Sequence, residues 1–172
     1  MRAGLTALVL LTLSIACSSP GAQADKSRVP GRNEMAELNK YLVRKDRERI
    51  QNYIERKKLE MKETPSGLWY IIKSEGSGEL LKDRDVVEFE YDCSMLDGTE
   101  CYSSAELGPK AIVIGKTAIE PGLDQGLRMM RKGGEAMFII PPFLAWGLPG
   151  DGKKIPSRAV LVYNVKVTNV RQ

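Results

Sequence analysis

The sequence predicts an α+β fold: many short strands packed on one short helix, with a longer charged helix ahead of them. Three observations lead there. Val86 to Met95 alternates strictly, with Val87, Phe89, Tyr91, Cys93 and Met95 on one side and Glu88, Glu90, Asp92 and Ser94 on the other, the pattern of a half-buried strand. Ile119 to Gly147 reads as a short helix, a Gly-Gly turn, an apolar strand and an aromatic corner. No stretch alternates strands with long helices, so the strands are expected to form an antiparallel sheet.

The length of 172 residues suits one domain with appendages. With 42% hydrophobic and 28% charged residues, the composition is that of a globular protein. A net charge of +4 is too small to argue for nucleic acid, and none is expected as a partner. The chain has no histidine, which excludes Ser-His-Asp and Cys-His catalysis and histidine-containing metal sites. Three cysteines are too few for a disulfide scaffold.

Residues 1–17 read as an export signal. Arg2 is a minimal positive region, and Leu5 to Ile15 is an apolar run too short to span a bilayer. Ser14-Ile15-Ala16-Cys17 resembles a lipobox, with Cys17 the residue to be acylated; Ser14 stands where leucine is more usual. The alternative is an ordinary cleaved signal with a chance cysteine. Acyl chains on Cys17 would hold the protein on a membrane. Residues 18–32, SSPGAQADKSRVPGR, form a flexible tether.

Residues 33–63 are expected to be a helical extension, with the helix over Asn33 to Lys62 and Asn33 as its N-cap. Leu38, Leu42, Ile50, Ile54 and Met61 follow the helical period, and Asp46 interrupts the stripe as at a bend or break. The favoured reading is a solvated charged face. Homodimerisation through the stripe, a basic face on anionic headgroups, and docking on the chain's own domain are the alternatives.

Residues 64–172 are the main domain. TPSG over Thr64 to Gly67 is a turn, and Leu68 to Ser74 a strand. Asp97-Gly98 signals a hairpin after the Val86–Met95 strand, with Glu100 to Ser104 as its return limb. Ala111 to Ile114 is a short buried strand. Pro121 suits the first position of the short helix, whose apolar face is Leu123, Leu127 and Met130. Gly133-Gly134 stops it. Ala136, Phe138 and Ile140 then alternate inward, and Pro141-Pro142 ends the ladder. Leu161, Tyr163, Val165 and Val167 alternate on the last strand. An exposed Trp146 at the aromatic corner points to a concave apolar site.

Five pieces, in order, carry a family resemblance: VVEFEYDCSMLDGTECYSS, AIVIG, GLDQGLRMM, IIPPFLAWG and IPSRAVLVYNVKV. From roughly Ser66 onward the chain resembles the FKBP-type peptidyl-prolyl cis-trans isomerases. The resemblance implies a twisted antiparallel sheet curled around one helix. It also implies an enzyme that rotates X–Pro bonds with no cofactor and no metal. The alternative is a weakly active or inactive chaperone or assembly module of the same fold. The start and upstream helix look like the lipid-anchored FKBP isomerases of bacterial envelopes, including the gliding-motility-associated branch. That implies a periplasm-facing protein, most readily at the outer membrane, acting on proline-containing segments of exported proteins.

The resemblance also assigns residues. Tyr91, Ile119, Trp146 and Tyr163 match the residues that surround the proline. The Glu120 main-chain N–H matches the donor to a substrate carbonyl, and the Trp146 indole N–H would replace a phenol as donor. Leu123 falls where many members have a tryptophan floor. Ile155 matches an aliphatic loop residue. One wall departs from the family: Cys101-Tyr102 stands for Phe-Asp, Lys110 replaces a rim aromatic, and Asp151 sits where another ring is common. Cys93 and Cys101 flank the hairpin turn, and two states stay open for them: a disulfide in the pocket wall or two buried free thiols.

Overall fold

The computed structural model describes residues 31–171. The signal-like segment with Cys17, nearly all of the tether, and residue 172 lie outside the described residues.

The chain enters through α1 (Arg32–Lys57). Its cap is Gly31 rather than Asn33, and Glu34 Oε2 reaches back to accept from the Gly31 N–H at 2.8 Å. The helix runs through Asp46 without the expected break. Asp46 is only 4% exposed, because its carboxylate turns inward to the Arg158 guanidinium at 2.5 Å. One turn further, Ile50 is 1% exposed and packs among Met137, Ile139, Val160 and Val162, with Tyr53, Ile54 and Trp69 around it. The second half of α1 is therefore docked on the domain rather than solvated. Met35, Leu38 and Tyr41 in the first half remain exposed. The helix also ends earlier than expected, at Lys57, where Lys58 adopts a left-handed conformation (φ 54°). Released from the helix, β1 (Lys62–Glu63) pairs with Tyr70 and Trp69 of β2 (Trp69–Ser74).

The other strands are β3 (Val86–Met95), β4 (Glu100–Ser103), β5 (Lys110–Val113), β6 (Glu135–Ile140) and β7 (Leu161–Arg171). They form a seven-stranded antiparallel sheet in the order β1-β2-β6-β7-β3-β4, with β5 also on β3. β3 serves two neighbours on its outer edge. Its first half pairs with β5 and its second with β4, while β7 runs along the whole of its inner edge. This divided pairing lets the sheet curl. A one-turn helix, α2 (Ser104–Leu107), follows β4; it is too short to leave a period in the sequence.

The curl encloses α3 (Pro121–Leu127). Leu123, Leu127 and, just past the helix, Met130 are buried against Phe89, Phe138 and Ile140. The helix can lie this close to β6 because of Gly126: a Cβ there would come within 2.8 Å of the Phe138 ring. Strand β6 is buried on both faces. Ala136, Phe138 and Ile140 face α3, as the alternation predicts, while Met137 and Ile139 meet Ile50 of α1. A second apolar face that binds a helix explains why β6 reads as a continuous apolar run. After β6 the chain makes a 3-10 turn (Pro142–Leu144) and presents Trp146.

Candidate functional site

Seven of the residues singled out from the sequence, Lys110 and Asp151 among them, come together at one end of the curled sheet. Tyr91 from β3, Tyr102 from β4, Glu120 at the mouth of α3, Trp146 from the corner after β6, and Tyr163 from β7 all line a cavity of about 440 Å³. Leu107, Gly108, Pro109 and Lys153 complete its lining. The alternation of β3 and β7 turns Tyr91 and Tyr163 to the same side, with ring centroids 6.2 Å apart. Both are buried, whereas Trp146 is 42% exposed and forms an outer lip.

Ile119, Leu123, Ile155 and Cys101 do not line the cavity. Leu123, Ile155 and Cys101 are buried in the core behind it, and Ile119 packs half-buried against the same core. The smaller leucine at the tryptophan position is thus filled over by its neighbours.

The side chain of Glu120 is the unforeseen element. It is 4% exposed, and its Oε1 accepts two hydrogen bonds, from the Trp146 indole Nε1–H at 2.9 Å and the Tyr163 hydroxyl at 2.6 Å. Burial, reinforced by the neighbouring Glu120 charge, pushes the Tyr163 phenol well above its usual range, so it remains a donor. The indole N–H is engaged with Glu120 and does not stand ready as a donor to a substrate. Among the described residues, the Glu120 main-chain N–H meets no protein acceptor. Sequence reasoning reached the Glu120 backbone and missed its carboxylate. The available signal was an acidic residue directly before the Pro121 that starts α3.

A family model described as FKBP-type peptidyl-prolyl cis-trans isomerase matches residues 78–168, more than half of the chain. The chain belongs to this family. It is 34% identical over 110 residues to the probable FKBP-type peptidyl-prolyl cis-trans isomerase FkpA of Neisseria meningitidis, covering 64% of this chain and 40% of that protein. It is 34% identical over 111 residues to a probable FKBP-type peptidyl-prolyl cis-trans isomerase of Haemophilus influenzae, covering 64% of this chain and 46% of that protein. It therefore spans less than half the length of these curated relatives. Among solved structures, FkpA from Escherichia coli superposes with a TM-score of 0.66 at 29% identity, covering 80% of this chain and 64% of that one. AtFKBP13 gives a TM-score of 0.62 at 28% identity, covering 65% of this chain and 99% of that one.

In the wall that departs from the family, Tyr102 and Asp151 both line the cavity and meet: the Tyr102 hydroxyl donates to Asp151 Oδ2. Asp151 Oδ1 accepts the main-chain N–H groups of Lys153 and Ile155, each at 2.8 Å. Burial acts to raise the Asp151 carboxyl, but these donors outweigh it and hold the group below the usual carboxylate range. Lys154 lies over the Tyr102 ring and pairs with Glu106 at 2.9 Å, bracing the same wall from outside.

Cys93 and Cys101 are free thiols in this structure, both buried. Pairing sets Cys93 opposite Tyr102, so the cysteines are offset across the β3–β4 bulge. Burial pushes the Cys93 thiol up to about 12. At pH 8 the reactive thiolate of Cys93 should be scarcer by roughly a thousandfold than that of an exposed cysteine. Iodoacetamide should therefore label Cys93 in the native protein far more slowly than in urea, the native rate rising with pH. Equal rates in the two states would show that the thiol is not held as described.

Proposed function

We propose that the chain is a peptidyl-prolyl cis-trans isomerase whose cavity takes a proline and its flanking peptide. The observation that carries this is the convergence of Tyr91, Tyr102, Trp146 and Tyr163 on one open cavity of about 440 Å³, a size that fits a proline with part of its neighbours. The X–Pro amide is planar because nitrogen donates into the carbonyl, and rotation must overcome about 18–20 kcal/mol. At the twisted midpoint that donation is lost and the bond is less polar. Water stabilises the planar form more than the twisted one, so a cavity that replaces water with rings favours the twisted state. The Glu120 N–H holds a substrate carbonyl while rotation proceeds. No nucleophile or acid–base pair takes part, which suits a chain without histidine.

A second reading is favoured by the polar floor. Glu120 leaves the cavity less apolar than the rings alone would, and engages the indole N–H. Both features suit a proline-peptide binding module with slow turnover.

Residues 1–17 with Cys17 place the protein, in this proposal, on an envelope membrane facing the periplasm, with exported polypeptides as substrates. The exposed Met35, Leu38 and Tyr41 offer a surface for a second copy. Labelling with a radioactive fatty acid, abolished by Cys17→Ser, checks the anchor. Sedimentation mass that rises with concentration checks the dimer. An unlabelled protein, or a fixed monomer mass, removes the corresponding assignment.

A protease-coupled assay on a proline peptide separates the two catalytic readings. The first predicts a rate above buffer and a drop of about five- to thirtyfold in kcat/KM for Trp146→Ala, the effect of losing ~1–2 kcal/mol of transition-state stabilisation. A rate equal to buffer rejects the isomerase, and an unchanged variant removes Trp146 from its mechanism.

A further inference from the structure

The cavity floor holds an acceptor that X–Pro rotation does not require. While Glu120 Oε1 takes both the indole and the phenol, Glu120 Oε2 is buried and has no hydrogen-bond partner in the protein. A buried carboxylate oxygen without a donor is costly, and folded proteins seldom leave one. Glu120 lines the cavity, so a ligand held there is the nearest source of a donor that the protein does not supply. The proline ring cannot be that donor, because its nitrogen carries no hydrogen in a peptide. A side chain next to the proline can.

We propose that Glu120 makes the cavity selective for peptides with a lysine or arginine beside the target proline, the cationic head donating to Oε2. The inference rests on the peptide-binding reading above. A long apolar stem lets such a side chain lie along the Tyr91 and Tyr163 rings while its head reaches the floor. Two lysines of the same sign stand at the cavity wall, Lys110 and Lys153. Lys110 lies 5.9 Å over the Tyr91 ring, and the Lys153 residue is exposed. Lys154 nearby is neutralised by Glu106. Water and salt screen charges at the mouth, whereas a pair formed at the buried floor is screened much less. The floor therefore sets the preference.

The test uses one proline peptide in three forms, with lysine, leucine or glutamate as the neighbour of the proline, placed before it and after it in separate series. Calorimetric affinity and kcat/KM are measured for each. The lysine form should exceed the leucine form by about tenfold in at least one series, as a charge-assisted hydrogen bond to a desolvated carboxylate gives. The glutamate form should be the weakest. Glu120→Gln retains an amide oxygen for Trp146 and Tyr163 and removes the charge, so its lysine-to-leucine ratio should fall to near unity. Each ratio is internal to one protein sample, so partial unfolding does not move it. Equal affinities for lysine and leucine, a preference for glutamate, or a lysine preference that survives Glu120→Gln would overturn the assignment. If no form is turned over while the affinities keep the expected order, the isomerase reading fails and the selectivity stands.

Discussion

A single carboxylate oxygen holds the cavity together. Glu120 Oε1 receives the indole of Trp146 from the corner after β6 and the hydroxyl of Tyr163 from β7, tying both to the start of α3. Each is a hydrogen bond to a charged group in a water-poor site, where such bonds are strong and where losing one partner leaves the other stranded. The arrangement fixes the lip of the cavity against its back. It also engages the indole N–H as a donor and leaves the second carboxylate oxygen, Oε2, without one.

The rest of the fold brings these groups into reach. Strands β3 and β7, paired along their full length, present Tyr91 and Tyr163 on one side. Gly126 lets α3 lie against Phe138, which carries Glu120 to the cavity floor. The loop that bears Trp146 is held from the far side as well. The Arg158 N–H donates to the carbonyl of Gly147, and the Arg158 guanidinium reaches Asp46 of α1. The helical extension is therefore part of what supports the corner and not only a spacer.

Much of this was readable in advance. Strand β3 has the bounds that its alternation predicts, because one face is buried throughout and the period is unambiguous. Pro121 marked the start of α3 for a local reason, its fixed φ. What stayed hidden depended on partners distant in sequence. Asp46 looked like a break in an apolar stripe, because its reason for burial, Arg158, lies 112 positions away. Only the main-chain N–H of Glu120 drew notice, since neither Trp146 nor Tyr163, the partners of its carboxylate, is near it in the chain. The changes at Cys101-Tyr102 and at Asp151 read as separate losses. Only the fold brings Tyr102 and Asp151 together, the Tyr102 hydroxyl donating to the Asp151 carboxylate. The last turn of α1 failed differently: Met61 continued a helical period that the left-handed Lys58 had already ended.

The chain contains two tryptophans, and they stand in different places. Trp146 is at the lip of the cavity, while Trp69 packs under α1. Their indole N–H signals in a proton–nitrogen spectrum report the central claim, that proline peptides enter among these rings. Titration with a proline peptide should shift the Trp146 indole signal progressively and leave the Trp69 signal in place. A Trp146 signal that stays fixed at saturating peptide, or a response confined to Trp69, would contradict it.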